Sequence, residues 1–194
     1  MESEPTRPEQ VATPRPQPRI YVASLSDYNA GRLHGAWIDA DQTVDAIEES
    51  ITRMLDASRM FGAEEWAIHD YQGLGGFPLG EYASLESVSL LGNGIAEHGL
   101  AFAAWAAHRG EVGEAAESFC EAFMGEWPSV GDYAAGLLDD YGLEADIDSI
   151  VPDGLRAYVQ IDAEGLGRDL VIGGDLVAIE TGSGSVWIFQ GRVG

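Results

Sequence analysis

Lysine is absent from this 194-residue chain, and all ten of its basic residues are Arg. Those ten Arg stand against 33 Asp and Glu, for a formal charge of −23. A nucleic-acid binder needs cationic surface to release phosphate counterions, so this scarcity excludes that class. It excludes an anionic membrane surface as partner for the same reason. Cys120 is the only cysteine, so no internal disulfide can form, and a reducing cytoplasm is the expected compartment. The uncharged stretch from His98 to His108 is too short to cross a bilayer, and no apolar signal region opens the chain.

What is present is globular. Hydrophobic residues make up 45% of the chain, too many for a disordered acidic polymer. Five of the eight prolines fall in residues 1–18, which read as a disordered, Pro-rich tail. Residues 1–19 hold three Arg and three Glu, so the whole negative charge falls on residues 20–194.

The ordered chain opens on a β-rich run, Arg19-Ile-Tyr-Val-Ala-Ser-Leu25. A Gly- and Asn-containing loop follows, then a second strand at Ala36–Asp39. Val44, Ile47, Ile51, Met54 and Leu55 recur at helical spacing, with Thr43 as the cap. Glu65–Tyr71 alternates as a strand does. The spacing predicts short helices from Ser84 to about Tyr141, broken at Gly92-Asn-Gly94, Gly110 and Gly125–Pro128. Ser129-Val-Gly-Asp132 fits a capping box. A mostly helical stretch is expected over 155–170. Asp175–Glu180 and Ser185–Gln190 then read as a hairpin. The fold class is α+β, in three small units after the tail: an α+β unit at 19–78, a helical acidic unit at 79–150, and an α+β unit at 151–194.

Charge is the most informative pattern. Residues 110–155 hold twelve acids and no Lys or Arg. On a helix over 111–124, Glu111, Glu114, Glu117 and Glu121 share an arc of about 120°, while Val112, Ala116, Phe119, Cys120 and Phe123 lie opposite. This spacing puts Cys120 in the core. Four carboxylates along ~15 Å of helix give one charge per ~5 Å, against one per ~3.4 Å along each strand of B-DNA. Like charges at i,i+4 cost a few tenths of a kcal/mol per pair. The bland explanation is a solvated acidic face or adaptation to high salt. The functional one is a surface that meets a basic partner.

Several blocks carry a resemblance. Arg19-Ile-Tyr-Val-Ala-Ser-Leu-Ser-Asp-Tyr-Asn-Ala-Gly-Arg-Leu-His-Gly-Ala-Trp-Ile-Asp39 is similar to the opening of the ArdA antirestriction family. Ala63-Glu-Glu-Trp-Ala-Ile-His-Asp-Tyr71, Leu155-Arg-Ala-Tyr-Val159 and Gly167-Arg-Asp-Leu170 also resemble that family, in the expected order. Its members are DNA mimics carried on mobile elements. They occupy the DNA-binding groove of type I restriction–modification enzymes, formed by the methyltransferase core. The resemblance therefore implies an elongated, curved molecule with the three units in series, commonly a homodimer. It implies no enzymatic activity, no cofactor and no metal. The Pro-rich tail, the absence of Lys and the Gly-rich C-terminal part depart from the family.

The expected phosphate substitutes are Glu111, Glu114, Glu117 and Glu121, followed by Glu126, Asp132, Asp139, Asp140, Glu144, Asp146 and Asp148. Glu48, Glu49, Asp56, Glu64 and Glu65 extend the surface across the N-terminal unit. Two other functions compete with this one. An acidic adaptor or chaperone for an unrelated basic protein would share the charge. A halophilic, metal-dependent hydrolase would need ligand spacing that His34, His69, His98 and His108 do not offer. The five Trp residues read as core rather than base-stacking platforms, which sit in basic grooves.

Overall fold

The computed structural model describes residues 16–192, without the side chains of Glu144, Ala145, Asp148 and Ala157. Most of the expected tail thus lies outside the described residues. Pro18 is buried just ahead of the first strand, and its carbonyl accepts the Ala40 N–H at 2.8 Å. The chain is α+β and divides after Gly113 into two compact units. That division falls inside the 79–150 segment that the spacing groups as one helical unit.

The first unit is built on β1 (Arg19–Ser24), β2 (Gly35–Asp39) and β3 (Trp66–Gln72). They form an antiparallel sheet in the order β2-β1-β3. Helix α1 (Leu25–Asn29) follows β1, in a stretch whose Gly and Asn content suggests only a loop. Ser24 turns the chain into it by capping the Asp27 N–H. Helix α2 (Val44–Asp56) starts at Thr43, whose hydroxyl accepts the Ala46 N–H as a cap should. Its Ile47, Ile51 and Met54 pack with Ile20, Val22, Ile38 and Ile68 of the sheet in one core.

Helix α3 (Leu85–His98) runs straight through the Gly92-Asn-Gly94 break that the spacing predicts. These glycines serve packing, not punctuation. A Cβ on Gly92 would strike the Ala40 carbonyl, and one on Gly94 would strike the Phe102 ring. The chain turns instead at Gly99, with φ at +71°, before α4 (Leu100–Arg109). A Gly92→Ala variant gains about 1 kcal/mol of helix propensity, yet overpacking against a backbone carbonyl costs about 1–3 kcal/mol. The expected result is a net loss of stability, read as a lower denaturation midpoint. A gain would show that α3 stands off from Ala40.

The second unit holds α5 (Val112–Ala122), which begins at the boundary, then β4 (Phe123–Trp127), α6 (Val130–Asp140), α7 (Leu143–Ile150), α8 (Ala163–Ile172), β5 (Leu176–Glu180) and β6 (Val186–Gln190). The expected hairpin is β5–β6, with Leu176 facing Gln190 and Glu180 facing Val186. Strand β4 has no counterpart in the spacing, which carries the helix on to residue 124. It pairs antiparallel with the far edge of β6, giving the sheet order β4-β6-β5. Aromatic packing stops the helix there: the rings of Phe119, Phe123 and Phe189 cluster at 5.1–6.0 Å between centroids. The 155–170 segment is less helical than expected. It makes one 3-10 turn at Arg156–Tyr158, and then α8 capped by Asp162, which accepts the Gly165 N–H at 2.8 Å.

Cys120 is a correction. It is exposed, as is Ala116. The buried positions of α5 are Val112, Ala115, Phe119 and Ala122. Phe119 packs against Phe123 and Phe189, and Ala115 and Ala122 fall on its side of the helix, which leaves Cys120 turned outward. Of the five Trp residues, Trp105 is fully buried, while Trp37, Trp66, Trp127 and Trp187 are half-buried.

Candidate acidic interface

Glu114, Glu117 and Glu121 are all exposed and fall within about 60° of arc around α5 at 100° per residue. Glu111 is exposed immediately ahead of the first helical residue, so it extends the row from outside the helix. Asp139 and Asp140 are exposed in the last turn of α6, and Asp146 is exposed on α7. Glu144 and Asp148 lie on α7, with side chains outside those described. In the first unit, Glu48 and Glu49 are exposed along α2, Asp56 ends that helix, and Glu64 and Glu65 are exposed in the loop before β3.

Among the expected acids, Asp132 and Glu126 have carboxylates tied into the fold by hydrogen bonds. Asp132 completes the capping box: its N–H donates to the Ser129 hydroxyl at 3.0 Å, and that hydroxyl donates back to its carboxylate at 2.6 Å. Glu126 stands opposite Trp187 in the β4–β6 ladder. It accepts from the Ser185 hydroxyl, and from the Trp187 indole N–H at 3.3 Å. These bonds hold its carboxylate against the sheet.

The spacing missed acids on α8. Glu164 and Asp169 are exposed there, and the Glu164 carboxylate lies over Gly131 in the first turn of α6. Their segment holds Arg156 and Arg168, which lowers its net charge and hides the pattern. The signal that could have found them is the helix-capping Asp162 at the start of α8.

At the C-terminal ends of α6 and α8 the charge runs against helix electrostatics, whereas Glu114, Asp132 and Glu164 in the first turns of α5, α6 and α8 agree with it. A helix C-terminus carries partial negative charge, and cations there contribute about 0.3–1 kcal/mol. Helices α5, α6, α7 and α8 have no basic residue in their last turns. Asp139 and Asp140 put carboxylates there instead on α6, and Asp169 does on α8, whereas Asp56 of α2 shares its last turn with Arg53. Folding alone would favour the opposite arrangement.

One acid belongs to the fold. Asp27 is buried in α1 and accepts hydroxyl donors from Ser58 and, at 2.8 Å, from Ser24. The Ser58 hydrogen bond holds its carboxyl below the ordinary value, against the opposing effect of burial; Ser24 and the charges of His34 and Arg32 add to the lowering. A carboxyl lowered in the folded state contributes stability that is present above its unfolded pKa and is lost as pH falls through the folded one. An Asp27→Asn variant is therefore expected to be less stable than its parent at neutral pH, with the gap closing below pH ~4. Thermal melts across that range check it; a gap independent of pH would contradict it.

Among the described residues, no group of three or more His, Cys, Asp or Glu is arranged to hold a metal ion, and no helix is long and apolar enough to cross a membrane. Against protein families, residues 20–184 match the model described as antirestriction protein (ArdA). The chain belongs to the ArdA antirestriction family. In this ArdA chain the match takes in the first sheet from Ile20 on, and β4 and β5 of the second, and ends in the turn before β6. It gives an antirestriction role directed at restriction enzymes. Among curated proteins, none matches this ArdA chain.

Proposed function

We propose that this ArdA protein mimics bent B-form DNA and occupies the DNA-binding groove of type I restriction–modification enzymes, blocking restriction. Carboxylates stand where a duplex presents phosphates, and the Arg and Lys that grip DNA pair with them instead. The observation that carries this reading is acidic charge at the C-terminal ends of α6 and α8, where the dipole opposes it and no cation stands in the last turn. Such an arrangement costs stability, and a basic groove supplies the compensation. No recognition sequence needs copying, because phosphate contacts carry none. Within this proposal the protein acts in the cytoplasm as a homodimer, in line with the resemblance.

Binding displaces anions from the enzyme's groove, so affinity falls steeply with salt. By analogy with DNA, six or more such contacts lose about a thousandfold in affinity between 50 and 200 mM salt. A pull-down with a purified type I methyltransferase core across that range tests it. Capture indifferent to salt would contradict a carboxylate-for-phosphate interface.

A further inference from the structure

Strand β3 carries an irregularity that its sheet does not require. Tyr21 of β1 faces Asp70 and Val22 faces Ile68, so His69 is left without a partner and forms a β-bulge. Bulges bend a strand and re-aim its side chains. Here Ala67 and Ile68 are both buried, while His69, Asp70 and Tyr71 emerge on the surface. The His69 ring meets Tyr28 of α1 edge to face, with centroids 4.9 Å apart and planes at 84°. Because β3 is an edge strand, its outer side is open to a third segment. The Ile68 N–H donates to the Glu81 carbonyl at 3.0 Å, which fastens that segment beside the bulge.

The result is a cleft of about 440 Å³ lined by Tyr28, Ile68, His69, Tyr71, Leu79 and Glu81. Its size is at the small end for ligand pockets, about 300–1,000 Å³. Its walls offer aromatic faces, the half-buried Leu79 side chain and one carboxylate, and among the described residues no Arg lines it. Tyr28 and Tyr71 are exposed, so their rings are open to a visitor. This chemistry suits a flat cation on an apolar stem. A guanidinium stacks on an aromatic face, its methylenes cover Leu79, and its N–H edge meets the Glu81 carboxylate. Citrulline has nearly the same shape without the charge. Lysine has the charge without the plane.

We propose that this cleft captures one arginine side chain of the basic protein that the molecule binds. It adds a shaped contact to a surface otherwise made of point charges. The inference rests on the reading that the partner presents a basic groove, and the cleft can be probed without that partner.

The experiment titrates the full ¹⁵N-labelled chain with N-acetyl-arginine methylamide, and in parallel with the matching lysine and citrulline derivatives. Saturable amide shifts at Tyr28, His69 and Tyr71 are expected with the arginine probe, in the millimolar range of a single side chain. Citrulline should bind at least about tenfold more weakly, and lysine more weakly than arginine. Glu81→Gln and Tyr28→Leu alter exposed side chains, so the dispersed spectrum should persist while arginine binding drops several-fold. Glu86→Gln, on an exposed acid outside the cleft, should leave it unchanged. Citrulline or lysine binding as well as arginine would overturn the proposal. So would shifts scattered over the acidic surface and unmoved by Glu81→Gln. Failure here leaves the salt-dependent capture of a methyltransferase core intact, whereas failure of that capture leaves arginine binding at the cleft standing.

Discussion

Replacing Glu111, Glu114, Glu117 and Glu121 together with Gln is expected to weaken inhibition of a type I restriction enzyme by about five- to several-hundred-fold. Each exposed ion pair is worth about 0.2–1 kcal/mol, so four lost pairs sum to about 1–4 kcal/mol. Any one Glu→Gln change should lower inhibition by less than about fivefold, because no single carboxylate dominates. The fold should respond little. Glu117 and Glu121 stand four residues apart on α5, so removing their charge relieves repulsion of a few tenths of a kcal/mol. Glu114, in the first turn, gives up a favourable interaction with the helix dipole. Gln has nearly the helix propensity of Glu. The quadruple variant should thus melt within a few degrees of the parent while inhibiting poorly. Restriction assays with thermal melts on the same samples read both effects. Full inhibition by the quadruple variant would remove this row from the interface.

The largest effect on folding is expected at Phe189. Its ring is fully buried on β6 between Phe119 of α5 and Phe123 of β4. Truncation of a buried Phe to Ala costs about 3–5 kcal/mol, against a total of about 5–15 kcal/mol for a typical domain. No disulfide limits the unfolded chain, since Cys120 is alone. Phe189→Ala should therefore lower the melting midpoint of the second unit by well over 10 °C, taking about 4–8 °C per kcal/mol for a unit of this size. Hydrogen exchange would show the loss first in β4, β5 and β6, whose ladders meet at that ring. A shift of only a few degrees would mean that the three-ring cluster does not hold this sheet together. Inhibition should fall as well, because α5 and α6 lose the sheet beside them.

Much of this architecture is written in local signals. Strands β1, β2 and β3 alternate or run apolar, and Thr43 and Ser129 announce their helices by capping. The β5–β6 hairpin follows from two apolar runs around Thr181-Gly-Ser-Gly184. Strand β4 is not legible, because Phe123–Trp127 becomes a strand only by pairing with β6, some sixty residues later in the chain. The glycines of α3 mislead for a related reason. Gly92 reads as a breaker until Ala40 is seen pressed against it, and only then is the missing side chain a packing requirement. Cys120 shows the limit of helical phase: a face assigned from Phe and Cys runs instead through Phe119, Ala115 and Ala122, and the two alanines look neutral in a one-dimensional pattern. For the acidic surface, the row on α5 could be read directly. The roles of Glu126 and Asp132 could not, since one depends on a cross-strand partner and the other spends its carboxylate on a helix cap. The His69 bulge is likewise a property of pairing, invisible until β3 meets β1.

Under the proposed function, this protein and duplex DNA compete for one groove. The direct measurement is a titration of a purified type I methyltransferase core with the protein at several fixed duplex concentrations, followed by a method that resolves ternary complexes. Mutual exclusion predicts an apparent dissociation constant that rises in proportion to duplex concentration, with no species containing all three components. A stable complex holding enzyme, duplex and this protein together would contradict it.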